Sequence, residues 1–279
     1  MYPELFRLGP VTVHSYGVLY ALGILAAVAL SEHLYRRDGG KPGVFMDLAL
    51  PVAIGVILGA RVLFVIVERD YYLQNPLEIL MLWRGGLVFY GGFFGGATAF
   101  IIAARLRKLN LWSMADNAAP GLALGHAIGR VGCFLAGSCY GAPTDLPWAV
   151  TFKDTHSLAG DILGVPVHPT QLYSSGFLIF LSGLLIIIWR RRIFQGQVIS
   201  TYAILYGAFR FFIESFRGDP RGEATLLNLT LSTSQWISII LVIAAFAGYV
   251  FLSTKGRSYR GAGEILIQNS PDPTVQEGP

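Results

Sequence analysis

Long apolar stretches recur along the whole chain, separated by short polar or basic segments. A bilayer core about 30 Å thick needs roughly 20 mostly apolar residues in a helix that spans it. Seven stretches approach this length, and the pattern predicts an all-α integral membrane protein with seven transmembrane helices. The predicted helices are Val11–Leu30, Val44–Val67, Leu87–Ala104, Met114–Leu135, Pro169–Trp189, Val198–Phe216 and Gln235–Leu252.

Basic residues mark one side of this predicted bundle. Short cytoplasmic loops of membrane proteins carry an excess of Lys and Arg. Twelve basic residues follow the first, third, fifth and seventh predicted helices, so all of them fall on one side. We therefore expect that side and the C-terminus to be cytoplasmic, and the N-terminus to face outward. The twelve are Arg36, Arg37, Lys41, Arg105, Arg107, Lys108, Arg190, Arg191, Arg192, Lys255, Arg257 and Arg260.

The segments on the opposite side are longer and more elaborate. Residues of about 68–86, 140–168 and 217–234 contain polar side chains with Pro and Gly at intervals, which predicts a small extracytoplasmic cap. Within the first of these segments, the apolar piece PLEILMLW is too short to span the bilayer and predicts an interfacial helix. We expect one membrane domain over residues 1–260 and a disordered cytoplasmic tail over 261–279.

Composition narrows the function classes. The chain is 53% hydrophobic and 14% charged, against about 25% charged residues in soluble domains, which excludes a cytosolic enzyme. A net charge of +4 indicates no nucleic-acid partner here, because the basic residues lie between apolar segments. Two cysteines are too few for a disulfide framework or a zinc site, so no metal is expected. The first residues lack a signal-peptide pattern, and the first apolar segment should be retained.

Three arginines lie inside predicted spans: Arg61, Arg130 and Arg210. An intramembrane arginine costs at least about 2.5 kcal/mol and usually faces the bundle interior at a functional site. Counting about 1.5 Å per residue from the cytoplasmic helix ends places all three in the outer half of the membrane. A guanidinium group binds phosphate bidentately, so three at headgroup depth indicate an anionic phospholipid as substrate.

Internal ion pairs are the alternative for these arginines. Glu214 lies four residues after Arg210 on the same helical face and could neutralise it, while Asp116 or Asp47 could pair with the others. Helix six carries a stripe with the same spacing, in which Tyr206, Arg210 and Glu214 lie on one face. The many glycines of helices three and four are typical of close helix packing.

The segment GRVGCFLAGSCYG, Gly129–Gly141, resembles the signature of the prolipoprotein diacylglyceryl transferases, enzymes of the bacterial inner membrane. Further motifs resemble the family's in the same order along the chain. They are VTVHSYGVLY (Val11–Tyr20), WRGGLVFYGG (Trp83–Gly92), ADNAAPG (Ala115–Gly121), HPTQLY (His168–Tyr173) and YGAFRFFIESFRGDP (Tyr206–Pro220).

The resemblance implies a reaction. The diacylglyceryl group of phosphatidylglycerol moves to the lipobox cysteine thiol of a preprolipoprotein signal peptide, forming a thioether and releasing glycerol phosphate. No cofactor is implied, and a monomer among membrane lipids is expected. The positions that match the family's functional residues are Tyr16, Arg130, Gly141, Tyr206, Arg210, Glu214 and Arg217. We expect Arg130, Arg210, Tyr90 and Tyr206 at the reacting groups, and Tyr16, Arg61, Gly141, Glu214 and Arg217 at the lipid.

The chain also departs from the family pattern. Tyr90 stands where well-known members have a histidine proposed as the base, and Cys133 and Ser138 replace an asparagine and a glutamate. A phenol has a pKa near 10, so Tyr90 is expected to orient substrate or, less readily, to act as the base. Cys133 and Cys139 are expected to be small packing residues, although a disulfide or a nucleophilic cysteine stays open.

Histidines offer further bases. His126, one turn before Arg130, His14 and His168 are all available, and none is favoured; His168 is expected to help begin helix five.

Two other functions fit the same sequence. One is a related phospholipid-dependent transferase with another acceptor, and the other is a non-catalytic lipid-binding or transport protein.

Overall fold

The computed structural model of the protein describes residues 2–9, 11–81, 85–218, 223–226 and 229–254. Helices dominate this part of the chain, and all seven predicted spans have a counterpart in it. The helices are α1 (Ser15–Arg37), α2 (Val44–Val67), α3 (Arg69–Gln74), α4 (Phe89–Leu106), α5 (Leu111–Ala136), α6 (Thr170–Arg191), α7 (Gln197–Glu214) and α8 (Thr233–Thr254). Arg84, Arg221, Lys255, Arg257, Arg260 and the predicted tail over 261–279 lie outside the described residues.

Six helices are long and apolar enough to cross a membrane: α1, α2, α4, α5, α6 and α8. The remaining long helix, α7, has 18 residues and carries Arg210 and Glu214, which lower its hydropathy. The protein is therefore an all-α, multi-pass membrane protein. Arg210 and Glu214 can lie in such a helix because they form an ion pair with each other.

The beginning of the first span differs from the prediction. The segment Val11–His14 forms strand β2, which pairs antiparallel with strand β1, Glu4–Leu8. Helix α1 begins only at Ser15, whose backbone N–H donates to the Pro3 carbonyl at 3.0 Å. The predicted start at Val11 is wrong because the alternating, β-branched sequence VTVH suits a strand and finds a partner strand directly before it.

By its internal contacts the described chain divides into two units. The first comprises Met1–Ser31 and Ala115–Arg260, and the second contains Glu32–Met114. The first unit therefore holds α5, α6, α7 and α8 with most of α1, and the second holds α2, α3 and α4.

In the second unit, α2 and α4 pack closely through glycines. A Cβ atom on Gly55 would lie 2.7 Å from the Gly95 carbonyl oxygen and 2.5 Å from the Ala99 Cβ atom. Small residues let membrane helices approach until their backbones touch, which maximises van der Waals contact. The glycine pattern of predicted helix three thus serves helix packing, as expected.

Replacing Gly55 with valine should destabilise the second unit, because the side chain has no space against α4. We expect the unfolding free energy to fall by about 1–3 kcal/mol, measured as a lower thermal midpoint in detergent. Gly248→Val is the matched control, since a Cβ atom at Gly248 in α8 would meet nothing within 4 Å. Equal shifts in both variants would contradict the packing role.

In the first unit, α5 packs on α6 and α7. Its small residues form a core with larger apolar side chains of the two neighbouring helices. This core consists of Ala119, Ala123, Ala127, Leu178, Leu181, Leu185 and Val198.

Asp116 of α5 is fully buried and accepts backbone N–H groups of Gly196, Val198 and Ile199 at 2.8–3.0 Å. It therefore caps the N-terminus of α7, where unpaired N–H groups favour a carboxylate. This places the carboxylate of Asp116 on backbone amides, not on an intramembrane arginine. Asp47 likewise pairs with Arg107 at 2.9 Å, an arginine at the end of α4.

The predicted cap segments contain short antiparallel pairs. Strands β3 (Val150–Thr151) and β4 (Pro166–Val167) pair in one segment, and β5 (Glu223–Leu226) and β6 (Leu229–Ser232) pair in another. The predicted interfacial helix is a 3-10 turn over Pro76–Leu80 after the short helix α3.

Candidate active site

Arg130 lies near the C-terminal end of α5, one turn after His126. Its Nε–H group donates to His126 Nε2 at 3.2 Å, so that nitrogen carries no proton and the ring proton lies on Nδ1. No other hydrogen bond of the Arg130 guanidinium occurs among the described residues, which leaves its two terminal nitrogens available to a ligand. His126 thus orients Arg130 and uses its own lone pair in doing so.

Arg210 has a different environment. It forms an ion pair with Glu214, one helical turn later in α7, and its Nη2 donates to the Ser234 hydroxyl at 3.0 Å. The Ser232 hydroxyl donates to the second oxygen of Glu214 at 3.1 Å. The side chains of Arg210 and Glu214 are 15% and 5% exposed. The pairing weighed from sequence spacing is therefore present at Arg210, and it fixes the plane of the guanidinium group.

The structure brings Arg130 and Arg210 to one place within the first unit. His126 lies close enough to both guanidinium groups to feel their charge. The Tyr206 ring packs edge-on against the His126 ring, with 5.4 Å between centroids, and stacks on Tyr202. Three of the four residues expected at the reacting groups, from α5 and α7, therefore surround one histidine.

Tyr16 joins this cluster from the beginning of α1. Its ring stacks on Tyr20 at 5.8 Å between centroids, and its hydroxyl interacts electrostatically with Arg130, Cys133 and Cys139. The side chain is 42% exposed. A half-open phenol beside an arginine can donate to a phosphate oxygen, which fits the expected contact with lipid.

Gly141 and Arg217 meet where the loop after α5 crosses the end of α7. The two form an antiparallel bridge, and the Gly141 N–H group donates to the His168 carbonyl at 3.0 Å. A Cβ atom on Gly141 would lie 2.5 Å from that of His168 and 2.7 Å from the Phe216 carbonyl oxygen. Gly141 therefore acts through close backbone packing that holds Arg217 in place. His168, as expected, helps begin α6, because its carbonyl accepts the Thr170 N–H group.

The two cysteines lie in this same cluster as free thiols. Helix α5 ends at Ala136, and Gly137 has φ +76°, so the chain turns back and brings Cys139 close enough to Cys133 for the two thiols to interact electrostatically. Both side chains are half-buried. Packing residues were expected here, and the electrostatic interaction of Cys139 with Arg217 was not predicted. The glycine two residues before Cys139 was the available signal, because a helix that ends in a left-handed glycine reverses the chain.

Arg61 and Tyr90 belong to the second unit. The Arg61 side chain is 5% exposed and donates five hydrogen bonds to backbone carbonyls, while its guanidinium carbon lies 5.2 Å from the centre of the Tyr72 ring. Tyr90, in the first turn of α4, is 36% exposed and packs on the adjacent Phe89. The carbonyls that Arg61 contacts belong to Glu78, Ile79, Met81, Gly85 and Gly86.

Comparison with known proteins agrees with the motifs. The sequence model of the prolipoprotein diacylglyceryl transferases matches residues 3–251. The chain belongs to this family.

Curated relatives named phosphatidylglycerol–prolipoprotein diacylglyceryl transferase support the assignment. The protein of Clostridium tetani is 39% identical over 243 residues, 87% of this chain and 94% of the relative. That of Nitrosomonas europaea is 38% identical over 256 residues, 88% and 87% of the two chains. The Synechococcus elongatus protein is 35% identical over 262 residues, 92% and 89%. The predicted family resemblance is confirmed, and the chain is a membrane-embedded transferase of this family.

Proposed function

We propose that the protein transfers the diacylglyceryl group of phosphatidylglycerol to the lipobox cysteine thiol of preprolipoproteins. The products are a thioether on the acceptor and free glycerol phosphate. Family membership and the names of the relatives support both substrates. The cluster of arginines and phenols in the first unit supports a site for a phosphate-bearing lipid.

The observation that carries this proposal is the state of Arg130. Its Nε is held by His126, and its two terminal nitrogens have no hydrogen-bond partner among the described residues. Arg210 interacts electrostatically with the same histidine. Two guanidinium groups oriented in this way can grip one phosphodiester and stabilise the charge that grows on it as the leaving group departs.

The neighbouring residues have supporting roles in this proposal. Glu214 and Ser234 keep Arg210 in one orientation, which lowers the entropy cost of binding the phosphate. Tyr206 and Tyr16 are proposed to donate hydrogen bonds to lipid oxygens, and Arg217 to face the same group. Tyr90 is proposed to orient a substrate.

Arg61 is assigned a different role from the expected contact with lipid. Its donors are engaged by carbonyls of the segment after α3, so we propose that it organises this segment and does not bind the phosphate. To bind a lipid phosphate, the Arg61 guanidinium group would have to give up its hydrogen bonds to these carbonyls. Each lost bond would cost about 1.5–3 kcal/mol.

The reaction involves one displacement. The acceptor sulfur, as thiolate, attacks the diacylglyceryl carbon next to the phosphodiester oxygen, and a carbon–sulfur bond forms. The carbon–oxygen bond breaks, and its electron pair leaves with glycerol phosphate, held by Arg130 and Arg210. A phosphate is a fair leaving group, so positioning and arginine electrostatics supply most of the acceleration.

We further propose that the protein works as a monomer in the bacterial inner membrane, with a single domain over 1–260. Its N-terminus would face the periplasm and its C-terminus the cytoplasm. The distribution of basic residues in the short loops supports this orientation.

Mass spectrometry of a lipobox peptide tests the function. Purified protein with phosphatidylglycerol vesicles should add one diacylglyceryl group to the cysteine of the peptide and release one glycerol phosphate. A Cys→Ser peptide is the control and should stay unmodified. Release of glycerol phosphate without a modified peptide would indicate another acceptor, and lipid binding without turnover would indicate a binding or transport protein.

A further inference from the structure

The beginning of α8 lies against α7, the helix that carries Arg210 and Glu214. The two helices pack closely at Gly207 of α7, where a Cβ atom would lie 2.7 Å from the Val242 side chain and 3.4 Å from the Ser238 carbonyl oxygen. A glycine at such a contact lets membrane helices approach each other closely. This approach brings hydroxyl groups at the beginning of α8 within hydrogen-bond distance of the Arg210–Glu214 ion pair.

Helix α8 begins with a capping box, formed by Ser232 directly before the helix and Gln235 in its first turn. The Gln235 N–H group donates to the Ser232 hydroxyl at 3.2 Å, and the Ser232 N–H group donates to the Gln235 side-chain oxygen at 3.0 Å. The Ser232 hydroxyl in turn donates its single proton to Glu214 Oε1 at 3.1 Å. The capping box therefore fixes the hydroxyl group that holds one oxygen of the Glu214 carboxylate.

Two serines of this region divide the Arg210–Glu214 pair between them. The ion pair joins Arg210 Nη1 to Glu214 Oε2. The second carboxylate oxygen accepts from Ser232, and the second terminal nitrogen of Arg210 donates to the Ser234 hydroxyl at 3.0 Å. When nothing competes, a carboxylate and a guanidinium group favour two parallel hydrogen bonds, which engage both oxygens and two nitrogens. The serines therefore compete with this two-bond arrangement.

This competition affects the proposed contact of Arg210 with the lipid phosphate. A hydrogen bond from a guanidinium group to a neutral hydroxyl is about half as strong as one to a carboxylate. The Nη2 group on Ser234 is therefore easier for a phosphate to capture than one held by Glu214. If Glu214 bound both terminal nitrogens of Arg210, the phosphate would compete with a carboxylate for each of them.

We propose that Ser232 is a positioning residue for diacylglyceryl transfer. Its hydroxyl keeps Glu214 from binding both terminal nitrogens of Arg210, so that the guanidinium group can hold the lipid phosphate. This inference rests on the proposed transferase function and adds a residue that acts through Glu214 and Arg210. The geometry that carries it is the chain of hydrogen bonds from the capping box of α8 through Ser232 to Glu214.

Two replacements of Ser232 separate this role from helix capping. Ser232→Gly and Ser232→Ala both remove the hydroxyl, but glycine is well tolerated at a helix N-cap and alanine is not. We expect kcat/KM for transfer to a lipobox peptide to fall by about 10–10²-fold in both variants, because Arg210 is misplaced for the phosphate. The thermal midpoint in detergent should be clearly lower only in Ser232→Ala. Ser232→Thr keeps a hydroxyl and should restore most of the rate.

A Glu214→Gln background tests whether Ser232 acts through the carboxylate. Glutamine has one acceptor oxygen and no charge, so it cannot form two parallel hydrogen bonds with Arg210. Adding Ser232→Gly to Glu214→Gln should therefore change kcat/KM by no more than about twofold. A loss as large as the one in the wild-type background would contradict the proposed route.

Ser238→Ala is the matched control for the loss of a serine hydroxyl from α8. The Ser238 hydroxyl donates to the Ser234 carbonyl at 2.8 Å within the same helix, and its removal should leave kcat/KM within about twofold of the wild type. The inference is overturned by Ser232→Gly activity near the wild-type level, by an equal loss in Ser238→Ala, or by a Ser232→Thr variant as slow as Ser232→Ala.

The wild-type protein in the same assay distinguishes failure of this inference from failure of the proposed function. Wild-type transfer to the peptide together with an unimpaired Ser232→Gly variant overturns the role of Ser232 alone. If the wild-type protein transfers nothing to the peptide, the proposed function itself fails, and this inference fails with it.

Discussion

Replacing Arg130 with alanine is expected to lower the rate of diacylglyceryl transfer by about 10³-fold. Among the three arginines inside predicted spans, Arg130 is the one whose terminal nitrogens have no hydrogen-bond partner in the described part of the chain. His126 fixes the orientation of its guanidinium group. Its loss removes two donors that strengthen as negative charge grows on the phosphate. Arg130→Lys should fall between the alanine variant and the wild type, because lysine keeps the charge and lacks the planar fork. The measurement is the initial rate with a lipobox peptide.

Two further variants sharpen this experiment. Arg191→Ala removes an exposed arginine at the end of α6 and should leave the rate unchanged. Because Arg130 and Arg210 are proposed to hold one phosphate, a double alanine variant should be little worse than either single variant. Activity near the wild-type level in Arg130→Ala would remove the clamp from the mechanism, and strictly multiplied losses would show that the two arginines act separately.

Replacing Arg61 with methionine should destabilise the second unit by about 3 kcal/mol or more. Methionine keeps much of the apolar volume, but five backbone carbonyls lose a charged donor, and each such bond contributes about 1.5–3 kcal/mol. The carbonyls regain partners only if the segment opens to water. We therefore expect a lower thermal midpoint and faster amide hydrogen exchange in Pro76–Leu80.

Arg107→Met serves as the control for Arg61. Arg107 pairs with Asp47, but the two side chains are 41% and 63% exposed, so the loss should be below about 1 kcal/mol. If Arg61 instead binds the lipid phosphate, its replacement would leave stability and exchange unchanged and raise the phosphatidylglycerol concentration needed for transfer. The two outcomes separate a structural arginine from a lipid-binding one.

Relations within a single helix could be predicted from the sequence. The four-residue spacing of Arg210 and Glu214 offered their pairing as an alternative to lipid binding, and the pair is present; the glycines of predicted helix three predicted close packing. Both relations could be read from the sequence because helical geometry fixes which side chains share a face. The N-terminal hairpin was missed, since VTVH is apolar enough to extend a span and only its pairing with β1 makes it a strand.

Relations between distant segments could not be predicted. Asp116 caps a helix that begins about 80 residues later in the sequence, and the partners of Arg61 come from the segment after α3. Gly85 and Gly86 have φ of +81° and +78°, which turns their carbonyls toward Arg61. The local sequence does not indicate which arginine will donate to backbone carbonyls and which will be available to bind a ligand.

By itself, the sequence determined the membrane class, the helices and their order, the family, and the arginines placed where charge is costly, because hydrophobicity and helical period are local properties. Only the tertiary structure decided what each arginine does. The Arg61 guanidinium group donates to backbone carbonyls, and that of Arg210 pairs with the Glu214 carboxylate. The terminal nitrogens of Arg130 have no hydrogen-bond partner among the described residues. The physical reason is that a guanidinium group takes whichever acceptors the fold brings within hydrogen-bond distance, and those acceptors lie far away along the chain.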